Sequence, residues 1–125
     1  MRPIRRILCV TEPRSDATLR EAMQLARELG SMLTVLSVVP AGGCRRAAVP
    51  DLMAQIHDAE VPRGDCVPVH PVVRQGPAAE QVLAEAAETG ADLVVLGAGE
   101  TASRVIRRAT CPVITVPPAL AAAAA

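Results

Sequence analysis

A single α/β domain with a five-stranded parallel sheet and helices on both faces is the fold class this sequence predicts. Three observations predict it. Short, near-continuous apolar runs recur along the chain, as strands covered on both sides require. Between them lie segments whose apolar residues return at helical spacing, which makes one-sided helices. Glycine follows two of those helical segments at the point where the pattern stops, at Gly30 and Gly90.

The elements follow in order. Ile4 to Val10 contains the run Ile7-Leu8-Cys9-Val10 and reads as a strand. Thr11 to Asp16 is turn chemistry, and Ser15 or Asp16 can cap the next helix, marked by Leu19, Ala22, Met23, Ala26 and Leu29. Leu33 to Val39 is the second strand, closed by Pro40 and Gly42-Gly43. A short helix from Pro50 to about Ala59 is expected, with Pro50 in its first turn. Val67 to Arg74 is strand-like, and Pro68 and Pro71 demote it to a sheet edge. Gly76-Pro77 opens a helix with Ala79, Val82, Leu83, Ala86 and Ala87 on one face. Leu93 to Leu96 is the fourth strand, and Ala102, Val105, Ile106 and Ala109 mark another helix. Pro112 to Val116 is the fifth strand. The turns Gly30-Ser31-Met32-Leu33 and Gly90-Ala91-Asp92-Leu93 echo one another and read as one recurring helix-to-strand solution. Residues 1–118 form the expected domain, and residues 119–125 an Ala-rich tail expected to fray.

Composition excludes several functions. The chain has 125 residues, with 13 basic against 13 acidic, so it lacks the basic footprint of a general nucleic-acid binder. It contains no Phe, Tyr or Trp, and therefore no aromatic platform for stacking bases. Every basic residue is Arg, which rules out Schiff-base chemistry and a phosphate-binding lysine. Cys9, Cys44, Cys66 and Cys111 make no CxxC pair, and His57 and His70 are not at metal-ligand spacing, so no metal site is expected. Cys9 and Cys111 read as small buried hydrophobes. Cys44 and Cys66 read as exposed thiols or, if the fold brings them together, a pair. Four reduced cysteines and no apolar run of membrane length point to the cytoplasm, without membrane insertion.

Five segments in order resemble the universal stress protein family. They are Leu25–Gly30 leading into Leu33–Pro40, then Val72–Glu80, Gly90–Gly97 and Arg104–Val113. The resemblance implies a sheet in the order 3-2-1-4-5, Rossmann-like and akin to the adenine nucleotide hydrolases, homodimerisation, and in some members ATP or AMP binding. In such sheets ligands lie in the crevice beyond the carboxyl ends of the strands, lined here by Thr11, Glu12, Val39, Gly97 and Gly99. Nucleotide-binding members carry a Gly, two residues, a second Gly, nine residues and Gly-Ser or Gly-Thr after strand 4, which wraps the phosphates. This chain reads Gly97-Ala98-Gly99-Glu100 instead; about eleven residues have no counterpart, and Glu100 stands where a phosphate-contacting hydroxyl would be. Glu12 is the nearest match to the family's adenosine-contacting Asp, and Pro13-Arg14 follows it.

Gly97 and Gly99 also fit a plain tight turn, with a residual anion nest as the alternative. Arg104, Arg107 and Arg108 fit a solvated face with Glu100 paired to Arg104. No catalytic arrangement can be singled out. The resulting expectation is a homodimeric regulatory or interaction module without an ATP phosphate loop and without a cofactor. It would pair through Pro112, Val113, Ile114, Thr115 and Val116, with a regulatory or membrane-transport protein as a further partner. The alternative is a low-affinity ATP or AMP sensor using Thr11, Glu12, Val39, Gly97, Gly99 and Glu100. A hydrolase is the weakest reading.

Overall fold

The computed structural model describes residues 3–12, 16–60 and 67–117. The expectations placed on Ser15, Cys66 and the tail from residue 119 fall outside those residues. The elements are β1 (Arg6–Val10), α1 (Ala17–Leu29), β2 (Met32–Val39), α2 (Arg45–Glu60), β3 (Val69–Gln75), α3 (Ala78–Thr89), β4 (Leu93–Gly97), α4 (Glu100–Arg108) and β5 (Val113–Val116). The sheet is parallel throughout and ordered β3-β2-β1-β4-β5. The predicted fold class, the order and the edge position of the Pro71-containing strand are therefore observed.

Strand alternation sends the core to two sides. Ile7, Cys9, Leu33, Val35, Leu93 and Val95 face α1 and α2, meeting Leu19, Met23, Leu52 and Ile56. Leu8, Val10, Leu36, Val94 and Leu96 face α3 and α4, meeting Val82, Ala102 and Val105. Each large apolar side chain buried this way contributes about 1.5–3 kcal/mol. β1 and β4 pair centrally, with Ile7 opposite Leu93 and Cys9 opposite Val95.

The echoed turns have identical hydrogen bonding. Gly30 and Gly90 adopt left-handed backbone (φ 65° and 67°), where a side chain would be strained. In each, the next amide also returns to the carbonyl of Ala26 or Ala86, at 2.9 and 3.0 Å.

Three local expectations are corrected. α2 begins five residues before Pro50, which lies inside the helix. Proline removes the donor that the Arg46 carbonyl would use, but both residues are exposed, and water can take that bond. Burial of Leu52, Ile56 and Ala59 anchors the part of the helix after Pro50. Ile106 is 53% exposed rather than core, because Ala102 and Val105 alone fill the inward stripe of the nine-residue α4. Asp16 precedes α1 without a side-chain cap bond; its carboxylate pairs with Arg20 at 2.8 Å instead.

A polar bundle ties the β3 edge to α3. Arg74 Nη1 donates to Glu85 at 2.9 Å and Glu88 at 3.1 Å, and its Nε donates to Gln81 at 3.0 Å. Hydrogen bonds to Glu88 and then Glu85 hold the guanidinium above its ordinary pKa. Glu85 is only 5% exposed, so this pairing satisfies a carboxylate that burial would otherwise penalise. Among the described residues no helix is long and apolar enough to cross a membrane.

Candidate functional site

At the carboxyl edge of the sheet, β1 and β2 end beneath α2 and leave a cleft of about 550 Å³. Strand ends supply Thr11, Ser37, Val38, Val39 and Pro40. The exposed side of α2 supplies Asp51, Gln55 and Asp58, at spacing i, i+4 and i+7, which puts them along one helix face. The size lies within the roughly 300–1,000 Å³ usual for small-molecule sites.

Hydrogen bonds fix the cleft's walls. The Thr11 amide and hydroxyl both donate to the Leu36 carbonyl, at 2.9 and 3.2 Å. Gln55 Nε2 donates to the Glu12 carbonyl at 3.1 Å, joining α2 to the chain leaving β1. On the rim, Gln75 Nε2 donates to the Gly43 carbonyl at 2.7 Å, and the Gly76 amide to the Val39 carbonyl at 2.9 Å.

The expected crevice residues divide. Thr11 and Val39 line the cleft; Gly97, Gly99 and Glu100 do not. Only Ala98 and Gly99 connect β4 to α4. The Glu12 carboxylate lies over Gly97, where a Cβ would overlap it. Gly99 takes a positive-φ conformation (φ 159°, ψ −165°) that favours glycine, and its carbonyl accepts from the Ser103 amide at 3.1 Å. The connection is thus a tight turn of two residues. Glu100 borders a separate groove of about 450 Å³ between α3 and α4. Its carboxylate accepts from Arg104 at 2.7 Å, a pair too exposed to contribute much stability.

The expected interface strand is an edge: among the described residues β5 pairs with β4 alone. Pro112, Ile114 and Thr115 are exposed, and Val113 is half-buried. The Val116 side chain belongs to the core of its own chain, leaving its backbone for an edge contact. Cys9 is buried, and desolvation helped by the Glu12 charge pushes its thiol pKa far upward. Cys111 is half-buried and raised by desolvation and then by Asp92, whereas Cys44 is exposed. Among the described residues no group of three or more His, Cys, Asp or Glu could hold a metal ion.

Sequence reasoning missed Asp51, Gln55 and Asp58. Their signal was a polar stripe at i, i+4 and i+7 beside the apolar stripe of Leu52, Ile56 and Ala59.

Residues 3–117 match the model of the Universal stress protein family. Among solved structures, the chain is similar to a universal stress protein in complex with cAMP, at 20% identity and TM-score 0.73, covering 93% of this chain and 98% of that one. It is similar to the universal stress protein from Archaeoglobus fulgidus in complex with dAMP, at 21% identity and TM-score 0.73, covering 91% and 98%. A protein from the universal stress protein family from Burkholderia pseudomallei is 26% identical, with TM-score 0.68 and coverage of 94% and 98%. No curated protein matches the sequence.

Proposed function

Because this chain belongs to the universal stress protein family, we propose that it is a homodimeric regulatory module, not an enzyme, that has given up holding a nucleotide's phosphate chain. The observation that carries this reading is the β4-to-α4 connection: two residues long, with the Glu12 carboxylate over Gly97. A phosphate there would meet a carboxylate instead of a ring of amides, and Glu100 adds a second negative charge in the first turn of α4. In this reading the protein acts in the cytoplasm, through a regulatory or transport partner.

Titration calorimetry with Mg-ATP tests it. The expected dissociation constant is weaker than about 1 mM, or about 4 kcal/mol of binding. Micromolar affinity would overturn the reading. The dimer forms in this proposal by two-fold pairing of β5, whose exposed Ile114 and Thr115 leave an edge to be covered. Sedimentation equilibrium at about 100 μM should give a dimer of micromolar affinity, and Thr115→Pro should shift it toward monomer by removing a ladder donor.

A second reading, a weak adenine-nucleotide sensor, is favoured by one observation: Thr11 and Val39 line an open cleft at the strand ends. Solved universal stress proteins of this fold carry cAMP and dAMP.

A further inference from the structure

On the flank of α2 away from Asp51 and Asp58, the helix borders β3 and leaves a groove of about 350 Å³. Arg45, Val49 and Met53 recur at every fourth position and make one stripe along that flank. Pro71 and Val73, both half-buried, supply the β3 wall, and the buried Leu52 also lines it. Val49 and Met53 are nonetheless 45% and 48% exposed, so the described residues leave the apolar stripe uncovered. Arg45 and Arg46 stand at one end, exposed and, among the described residues, in no ion pair. The first turn of α2 has no acidic residue, so the positive end of the helix adds to the two guanidinium groups. Among the described residues no carboxylate lines the groove.

An aliphatic groove with cations at one end fits apolar side chains flanked by carboxylates. Strand addition is the poorer way to fill it. Bonds to β2 run from the Pro68 carbonyl to the Gly76 amide, so alternation turns position 71 toward the open edge, where proline has no amide to donate. A helix laid along α2 needs no such bond, and its anchors at i and i+4 match the spacing of Val49 and Met53. Anionic membranes are attracted by clusters of about four or more cations, whereas Arg45 and Arg46 alone line this groove among the described residues. We propose that the groove between α2 and β3 docks an acidic amphipathic helix of a partner protein. Its aliphatic side chains lie between Val49, Met53 and Val73, and its carboxylates meet Arg45 and Arg46. This rests on the regulatory reading and names the docking surface for it. β3 and β5 are opposite edges of the sheet, so a dimer paired through β5 leaves the groove free on each protomer.

Amide NMR titration of the full chain with two helical peptides of about 16 residues, long enough to fold alone, decides it. One peptide carries Leu at i, i+3, i+4 and i+7 with Glu at the flanking positions; the other has Lys in place of each Glu. At about 50 mM salt the acidic peptide should shift the amides of Arg45, Val49, Met53 and Val73 and saturate below about 1 mM, at least tenfold tighter than the basic one. The double variant Arg45→Glu, Arg46→Glu should reverse that order. Met53→Ser should weaken the acidic peptide about tenfold, with the same spectra reporting an intact fold. No shift at those amides, equal affinity for the two peptides, or an unchanged order in the arginine variant would each overturn the inference. Displacement of the acidic peptide by phosphatidylserine vesicles would assign the groove to a membrane and overturn it too. A dimer lost in Met53→Ser but kept in Thr115→Pro would show that a second copy fills the groove, with the same result. The two readings fail separately: absence of peptide binding leaves the ATP and sedimentation results unaltered, and micromolar ATP affinity leaves the peptide order unaltered.

Discussion

The two strand-to-helix connections at the carboxyl edge of the sheet make opposite use of the same architecture. β2 reaches α2 through residues 40–44, and a cleft of about 550 Å³ remains beneath the helix. β4 reaches α4 through Ala98 and Gly99 alone, and the Glu12 carboxylate fills the space over Gly97. Both connections start from parallel strands packed on the same core. Loop length and one acidic side chain therefore decide where a ligand could enter, and the sheet does not.

Four measurements would break or sharpen that contrast. The largest effect is expected beside the open connection, where the Arg74 bundle anchors the end of β3. Arg74→Leu leaves the Glu85 carboxylate buried without its partner. Urea unfolding should show a loss of about 2–3 kcal/mol, below the 3–5 of a fully buried pair because Arg74 keeps some contact with water. A loss under about 0.5 kcal/mol would mean that this bundle does not brace the edge.

Next in size is the closed connection. Gly97→Ala places a Cβ against the Glu12 carboxylate and should cost about 1 kcal/mol, since the end of a flexible side chain can move aside. In a Glu12→Ala background the cost should vanish, and a double-mutant cycle reads the coupling. Additive costs would show that Glu12 does not occupy that space in solution.

The rim of the open connection comes third. Gln75→Ala removes the bonds to the Gly43 and Pro40 carbonyls. Stability should fall by only about 0.5–1 kcal/mol, because those carbonyls are exposed to water. Amide hydrogen exchange over residues 41–44 should nonetheless rise more than over residues 98–99. Equal changes at both connections would erase the distinction.

The smallest perturbation leaves stability untouched. Among the three described cysteines, alkylation at pH 8 should label Cys44, at the open connection, first and Cys111 more slowly. Burial raises the Cys111 thiol pKa and lowers its thiolate fraction at that pH. Cys9 should resist until global unfolding, since it is fully buried and its pKa is pushed furthest upward. Early labelling of Cys9 would reveal local opening of the central strands.

Local chemistry made much of this molecule legible. Doubly buried strands must be apolar throughout, and Ile7–Val10 and Leu93–Leu96, both uniformly apolar, pair at the center of the sheet. A missing amide and a left-handed backbone are properties of single residues, so Pro71 marked an edge, and Gly30 and Gly90 marked helix ends. The short Gly97–Glu100 stretch likewise marked a tight turn before α4.

What the tertiary structure decided are relations between residues far apart in the chain. The start of α2 ignored the local signal of Pro50: the turn before it is exposed, so the one hydrogen bond that proline removes can go to water. Pairing of Arg74 with Glu85, closure of Gly97 by Glu12, and the placing of Asp51, Gln55 and Asp58 over Thr11 and Val39 each join separate elements. The sequence by itself determined which residues could be strands, turns and core, since those depend on each residue's own backbone and solvation. Which polar groups meet above the sheet depends on how the crossovers stack the helices, and only the packed fold sets that.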